Sequence, residues 1–159
     1  HPVIFFRRVK DSTEIEVAMQ YHDGYNMTLL AFSNNIHNPD GGTHASGYNA
    51  ALTRTINAYA RKMGFLKEKD KNFSSDDTRE GVTLVVSIKH PDPQFESQTK
   101  VKLMNAEVAG LVSAVLGELG AEVQRYQQHV MTLADPYFEG RAPGTAGNTG
   151  RAVAGSRTK

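Results

Sequence analysis

The segment Pro91 to Lys100, which reads PDPQFESQTK, places an amide, a hydroxyl and an ammonium side by side in a loop. Its two prolines fix φ and restrict the residues before them, so the chain leaves the preceding strand in an extended path. Gln98, Thr99 and Lys100 suit a polyphosphate, because the ammonium neutralises charge while the amide and the hydroxyl donate to oxygens. A lysine in a polar loop is more often simply solvated, and spacing alone favours that alternative.

Two further groups invite a functional interpretation. The segment DGGTH at Asp40 to His44 could hold an anion at a helix start, but no GK[ST] sequence follows, which favours a tight turn with Thr43 as the cap. Arg54 and Arg61 lie seven residues apart on a predicted helix with Lys62 beside them. This stripe could contact a phosphate backbone without reading sequence, although a solvated face explains the spacing equally well.

The sequence contains no motif typical of a metal site or of a self-contained active site. The six histidines show no HxxxH or HExxH spacing, and the chain has no cysteine. No Ser/His/Asp order or paired-carboxylate motif appears either. We therefore expect no metal site and no self-contained active site.

Bulk composition narrows the class of protein. A length of 159 residues predicts one domain, and the lack of cysteine fits a cytoplasmic protein. No apolar run reaches the length of a membrane span or a signal-peptide core. The first 139 residues contain 14 basic and 17 acidic residues, so any contact with DNA requires a local patch of basic residues.

The chain begins with His1 rather than Met, which suggests a fragment of a longer protein.

Hydrophobic periodicity predicts the elements that must position these side chains. Three strands, 3–9, 14–21 and 27–33, are expected to form an antiparallel meander with turns at Asp11-Ser12 and Asp23-Gly24. A helix from Thr43 to Gly64 and a mobile polar loop over 67–77 should follow.

A fourth strand, 82–89, is predicted to precede a second helix capped by Asn105 with Glu107 in its first turn. Residues 140–159 should be disordered, because they contain five glycines and only Val153 as a sizeable apolar side chain. We expect a domain over 1–135 and a disordered or divergent tail over 136–159. The fold class is α+β, a mainly antiparallel sheet with helices on one face.

Four blocks resemble, in this order, the second or transducer domain of bacterial DNA gyrase B subunits; topoisomerase IV B subunits share them. The blocks read FSNNIHNPDGGTH, AALTRTINAYARK, DDTREGVTLVVSIKHPDPQFESQTK and NAEV. The resemblance covers residues 1–120, and the chain departs from the family pattern over 121–159. It implies a ribosomal-protein-like fold with a left-handed β-α-β crossover, as in GHKL-type ATPases.

The resemblance also implies site residues and partners. Lys100, as the catalytic contributor, and Gln98 would reach the γ-phosphate of ATP held by an upstream ATPase domain, with Mg²⁺ bound elsewhere in the parent enzyme. Arg54, Arg61 and Lys62 would face a cavity for double-stranded DNA, although Asn49 stands where relatives have an arginine. The parent enzyme would be a homodimer that works with the gyrase A subunit, and this domain alone would be inactive.

Three alternatives remain open. The parent could be a topoisomerase IV B subunit rather than gyrase. A non-enzymatic nucleic-acid-binding module of the same fold would use Arg54, Arg61 and the stretch 67–71, but it has no need of the QTK loop. A dimerisation scaffold would require a large exposed apolar patch.

Overall fold

The computed structural model describes residues 3–122. The predicted domain boundary at residue 135 and the predicted disorder of residues 140–159 lie outside this range. The described elements, in chain order, are β1 (Ile4–Lys10), β2 (Thr13–Tyr21), β3 (Thr28–Ser33), β4 (Ile36–His37), α1 (Thr43–Lys62), α2 (Ser75–Arg79), β5 (Val82–Lys89) and α3 (Ala106–Glu122).

The sheet has the order β1-β2-β5-β3-β4. β5 pairs antiparallel with β2 and parallel with β3, and α1 lies between β3 and β5 in the chain, which makes β3-α1-β5 a β-α-β unit. The α+β class with a mainly antiparallel sheet is confirmed.

The predicted meander is wrong, because β5 inserts between β2 and β3. Four side chains of β5 are completely buried, which suits a strand with neighbours on both edges: Val82, Leu84, Val86 and Ile88. Asp23-Gly24 therefore belongs to a connection between separated strands. The first turn is confirmed, since Asp11 and Ser12 both have positive φ, 48° and 61°, as a two-residue hairpin requires.

Both long helices pack on one face of the sheet. The core combines every second residue of β2 and β5 with buried residues of the two helices, among them Tyr48, Leu52, Val108, Val112 and Val115. The helices approach closely at Gly47, where an added Cβ would lie 2.6 Å from the carbonyl oxygen of Ala109. Gly64, with φ of 79°, follows the end of α1 as predicted.

The segment predicted as a loop over 67–77 is partly ordered secondary structure. Ser74 and Asp77 form a capping box that starts α2. Phe73 is buried with Leu66 and Ala60 in a second small cluster. The prediction of a loop is therefore wrong where α2 begins.

None of the helices described between residues 3 and 122 combines the length and the apolar character needed to span a bilayer.

Candidate functional site

Residues 94–104 form a short hairpin that projects the QTK sequence. The Met104 amide donates to the Gln94 carbonyl at 2.8 Å, and the Glu96 amide donates to the Lys102 carbonyl at 3.1 Å. Phe95 and Leu103 form a bridge between the two arms. The proline-stiffened loop of the sequence is therefore a hairpin with a defined tip.

The tip carries the three residues predicted to bind a polyphosphate, Gln98, Thr99 and Lys100, and all three are exposed. A turn is closed by the Lys100 amide, which donates to the Ser97 carbonyl at 3.0 Å, and the Ser97 and Thr99 hydroxyls lie 2.7 Å apart. The Lys100 ammonium lies over the Phe95 ring, 5.6 Å from its centroid. Lys100 forms no ion pair with any residue of the described range, so its charge is not neutralised by a carboxylate there.

Asparagine side chains hold the base of this loop to the body of the fold. The Asn34 amide group donates to the His90 carbonyl at 2.9 Å, and its oxygen accepts from the His90 amide at 2.8 Å. The oxygen of Asn105 accepts from the Gln94 amide at 2.6 Å, and its Nδ2 donates to the Asp92 carbonyl at 3.0 Å. Backbone groups on both sides of the two prolines are thus fixed.

Asn105 immediately precedes α3, but the prediction that it serves as a side-chain cap needs correction. Its oxygen accepts from the loop, and its Nδ2 also donates to the Glu107 carboxylate at 2.8 Å. That hydrogen bond, followed by one from the Glu107 backbone amide, lowers the pKa of the Glu107 carboxyl group. The first turn of α3 is therefore tied to the loop.

The segment Gly41 to Thr43 clasps the other arm of the hairpin. The Leu103 amide donates to the Gly41 carbonyl, and the Leu103 carbonyl accepts from the Thr43 amide, each at 3.1 Å. Gly42 lies between them with φ of 132°, and an added Cβ would be 2.3 Å from the Leu103 oxygen. Composition and spacing gave no signal for this role of the glycines.

The amides of Asp40, Gly41 and Thr43 donate to backbone carbonyls of the protein itself, which supports a tight turn rather than an anion site. The Asp40 amide donates to the Val101 carbonyl at 3.0 Å, and the Gly41 amide donates to the Asn38 carbonyl at 2.8 Å. The predicted threonine cap is wrong: Gly42 is the cap residue, and the buried hydroxyl of Thr43 has no hydrogen-bond partner within residues 3–122.

His44, in the first turn of α1, is completely buried. Neither ring nitrogen has a hydrogen-bond partner in the described part of the chain. Burial lowers the pKa of this histidine from 6.5 to about 4, because the charged imidazolium is poorly solvated there. His44 is therefore a neutral core residue at neutral pH.

The predicted DNA-contacting residues lie on exposed positions of α1. The Arg54 guanidinium donates to the Ser113 hydroxyl at 2.7 Å. Arg61 instead holds the following loop, because its guanidinium donates to the Asn72 side-chain oxygen and to the carbonyls of Lys67 and Asp70. Lys62 is exposed beside it.

The α1 helix places Arg61 about 27 Å along its axis from Thr43 and the hairpin clasp. The two predicted groups, QTK and the arginine stripe, are therefore separate. Over the described range, no cluster of histidine, aspartate and glutamate side chains is arranged to hold a metal ion.

Comparisons with known proteins point to one family. A family model described as DNA gyrase B matches residues 1–140. The DNA gyrase B protein of Clostridium acetobutylicum is 51% identical over 117 residues, which cover 74% of this chain and 18% of the relative. That of Enterococcus faecalis is 52% identical over 115 residues, 72% of this chain and 18% of the relative. The chain thus spans 18% of the length of these curated relatives.

Solved structures show the same fold. The 43K ATPase domain of Thermus thermophilus gyrase B, in complex with an aminocoumarin, has a TM-score of 0.76 at 31% identity, covering 89% of this chain and 38% of that one. The topoisomerase IV ATP binding domain of Francisella tularensis has a TM-score of 0.72 at 20% identity, covering 86% and 38%.

Replacing Gly42 by alanine should detach the hairpin from α1. The new Cβ would collide with the Leu103 backbone, and the backbone conformation at Gly42 is one that glycine alone adopts readily. We expect the free energy of unfolding to fall by at least about 3 kcal/mol. Gly64→Ala is the matched control, since φ there is also positive but an added Cβ meets nothing within 4 Å; it should cost about 1 kcal/mol. Equal losses in urea titrations would contradict the clasp.

His44 should make the fold sensitive to acid. Because the pKa is lowered in the folded chain, the unfolded chain binds a proton first as the pH falls below 6.5. Stability present above pH 6.5 should be lost progressively toward pH 4, by up to about 3 kcal/mol. His44→Leu cannot titrate, and thermal unfolding across this pH range should show a flatter profile. An unchanged profile would show that other groups carry the acid sensitivity.

Proposed function

Because this chain belongs to the DNA gyrase B family, we propose that it is the transducer domain of a gyrase-type topoisomerase. Its hairpin senses the γ-phosphate of ATP held by a preceding ATPase domain, and it couples hydrolysis to DNA strand passage. The observation that carries this proposal is the exposed ammonium of Lys100, at a tip anchored to the fold on both sides.

The chemistry assigned to the hairpin is electrostatic. Negative charge on the phosphate oxygens must be neutralised as the terminal phosphoryl group is transferred, and a positioned cation lowers the barrier to that step. Lys100 supplies this charge, and Gln98 donates a hydrogen bond to the same phosphate. The Phe95 ring beneath Lys100 is consistent with this role, because a cation–π contact orients an ammonium without neutralising it.

The remaining parts of the reaction belong to the parent enzyme. The residues that bind ATP, the general base and the Mg²⁺ site are proposed to lie in the preceding ATPase domain. The domain by itself is then inactive, since one positioned lysine does not make an ATPase. Homodimerisation and association with the gyrase A subunit are likewise proposed for the parent enzyme.

Double-stranded DNA is the proposed partner of the outer face of α1. Arg54, Arg61 and Lys62 lie on exposed turns of this helix. Arg61 retains its charge while its donors hold the loop 67–72, so it would act through long-range attraction more than through direct hydrogen bonds. Arg54, with one hydrogen bond to Ser113, is the better candidate for a direct phosphate contact.

Topoisomerase IV is the alternative parent enzyme. A nucleic-acid-binding module without ATPase coupling is a less economical alternative, because it leaves the anchored hairpin without a function.

Lys100→Ala in the parent enzyme should slow ATP turnover far more than it weakens nucleotide binding. A contact that strengthens in the transition state affects kcat, and we expect kcat to fall about 100-fold while nucleotide Kd changes less than about threefold. The matched control is Lys102→Ala, on the same hairpin, whose ammonium lies 3.3 Å from the Glu96 carboxylate. A raised KM with unchanged kcat for Lys100→Ala would refute the proposed role.

Arg54→Glu should weaken duplex binding by the chain. Binding is expected to be weak, indifferent to sequence and rapidly lost with added salt, and the substitution should flatten the salt dependence by about one phosphate contact. Arg8→Glu, on the exposed edge strand β1, is the charge-matched control and should lower affinity less. Equal DNA affinities of the unsubstituted chain and Arg54→Glu in low-salt titrations would indicate instead that these basic residues form a solvated face without a role in DNA binding.

A further inference from the structure

Asn38 links the end of β3 to the tip of the hairpin through its buried side chain. It is 1% exposed, and its Nδ2 donates to the Lys100 carbonyl at 2.7 Å. Its Oδ1 accepts from the hydroxyl of Ser33, which is completely buried, at 2.8 Å. The Lys100 carbonyl can only accept, so the amide NH₂ must face it, and the Ser33 hydroxyl then donates to the remaining amide oxygen and holds the side chain in place.

The backbone that Asn38 holds is strained. Lys100 has φ of 55°, a left-handed conformation that is unfavourable for a residue with a Cβ. Its amide is held by the Ser97 carbonyl and its carbonyl by Asn38, so hydrogen bonds on both sides of the α-carbon maintain the strained angles. The direction of the Cα–Cβ bond follows from those angles, and the Phe95 ring, whose centroid lies 5.6 Å from the ammonium, restricts the flexible stem beyond it.

We propose that Asn38 is a positioning residue for ATP hydrolysis, which holds Lys100 in its left-handed conformation so that the ammonium is aimed before the nucleotide is bound. The proposal rests on the proposed function of Lys100. Preorganisation of this kind lowers the barrier to reaction without adding a contact to the substrate, because the ordering of the tip is completed on folding.

The test is Asn38→Asp in the parent enzyme. Aspartate has the same shape and still accepts from Ser33, but it directs an oxygen at the Lys100 carbonyl instead of a donor. We expect kcat for ATP hydrolysis to fall about tenfold, with nucleotide Kd and KM changed less than about twofold. In the double variant with Lys100→Ala, the second substitution should cause no further loss, since Asn38 acts only through Lys100.

Asn57→Asp is the matched control for general destabilisation. Asn57 is also buried, and its Nδ2 donates to the carbonyls of Thr53 and Phe73, at 2.9 and 3.0 Å, far along α1 from the hairpin. The same chemical change should lower the melting temperature there while leaving kcat unchanged. If both aspartate variants lower kcat in proportion to the decrease in their melting temperatures, the positioning role of Asn38 is refuted.

The outcomes separate the two proposals. An unaffected kcat in Lys100→Ala overturns the proposed function, whereas a slow Lys100→Ala beside a normal Asn38→Asp overturns only the role of Asn38. Additive losses in the double variant also overturn it. If Asn38→Asp does not fold, Ser33→Ala carries the test: losing the hydroxyl that holds the Asn38 side chain in place should lower kcat about threefold, and an unchanged kcat refutes the proposal.

Discussion

The clasp between Leu103 and the turn at Gly42 is the constraint on which the arrangement of the site depends. The Leu103 side chain is completely buried in the core, while its amide and carbonyl bind the backbone on either side of Gly42. The backbones approach so closely that any Cβ at Gly42 would overlap the Leu103 oxygen. Burial of the Leu103 side chain thus fixes one arm of the hairpin against the core. The backbone hydrogen bonds of Leu103 then hold this arm against the first residue of α1.

This arrangement joins the hairpin to the start of both long helices through hydrogen bonds. The Thr43 amide that binds Leu103 is the first of a 20-residue helix, which packs against α3 where Gly47 meets Ala109. Asn105 ties the start of α3 to the opposite arm of the same hairpin. A displacement of the tip would therefore act on the N-termini of both helices, as the proposed transducer role requires.

Local patterns predicted four of the five described strands, the two long helices and the Asp11-Ser12 turn, because alternation and helical spacing report which face of an element is buried; the two-residue strand β4 is too short to show such a pattern. They could not predict that β5 lies between β2 and β3, since nothing within β3 specifies its neighbour. Local patterns could not predict the asparagine contacts either, because the partners are far apart in the sequence. Asn38 and Lys100 are 62 residues apart, and Asn34 and His90 are 56 apart. The capping box at Ser74 and Asp77 was different, because its spacing is visible in the sequence and indicates α2.

The backbone angles of the described chain distinguish Lys100 from the other non-glycine residues with positive φ. Those are Asp11, Ser12, Asn34 and Asn35. Their short polar side chains suit turns, and asparagine and aspartate are the residue types that tolerate the left-handed conformation best. Lysine has no such advantage, and a glycine at this position would remove the strain together with the ammonium. The proposed contact of Lys100 with a phosphate would account for this strain, because it requires a cation at this position, and Asn38 and Ser97 hold the backbone in the strained conformation.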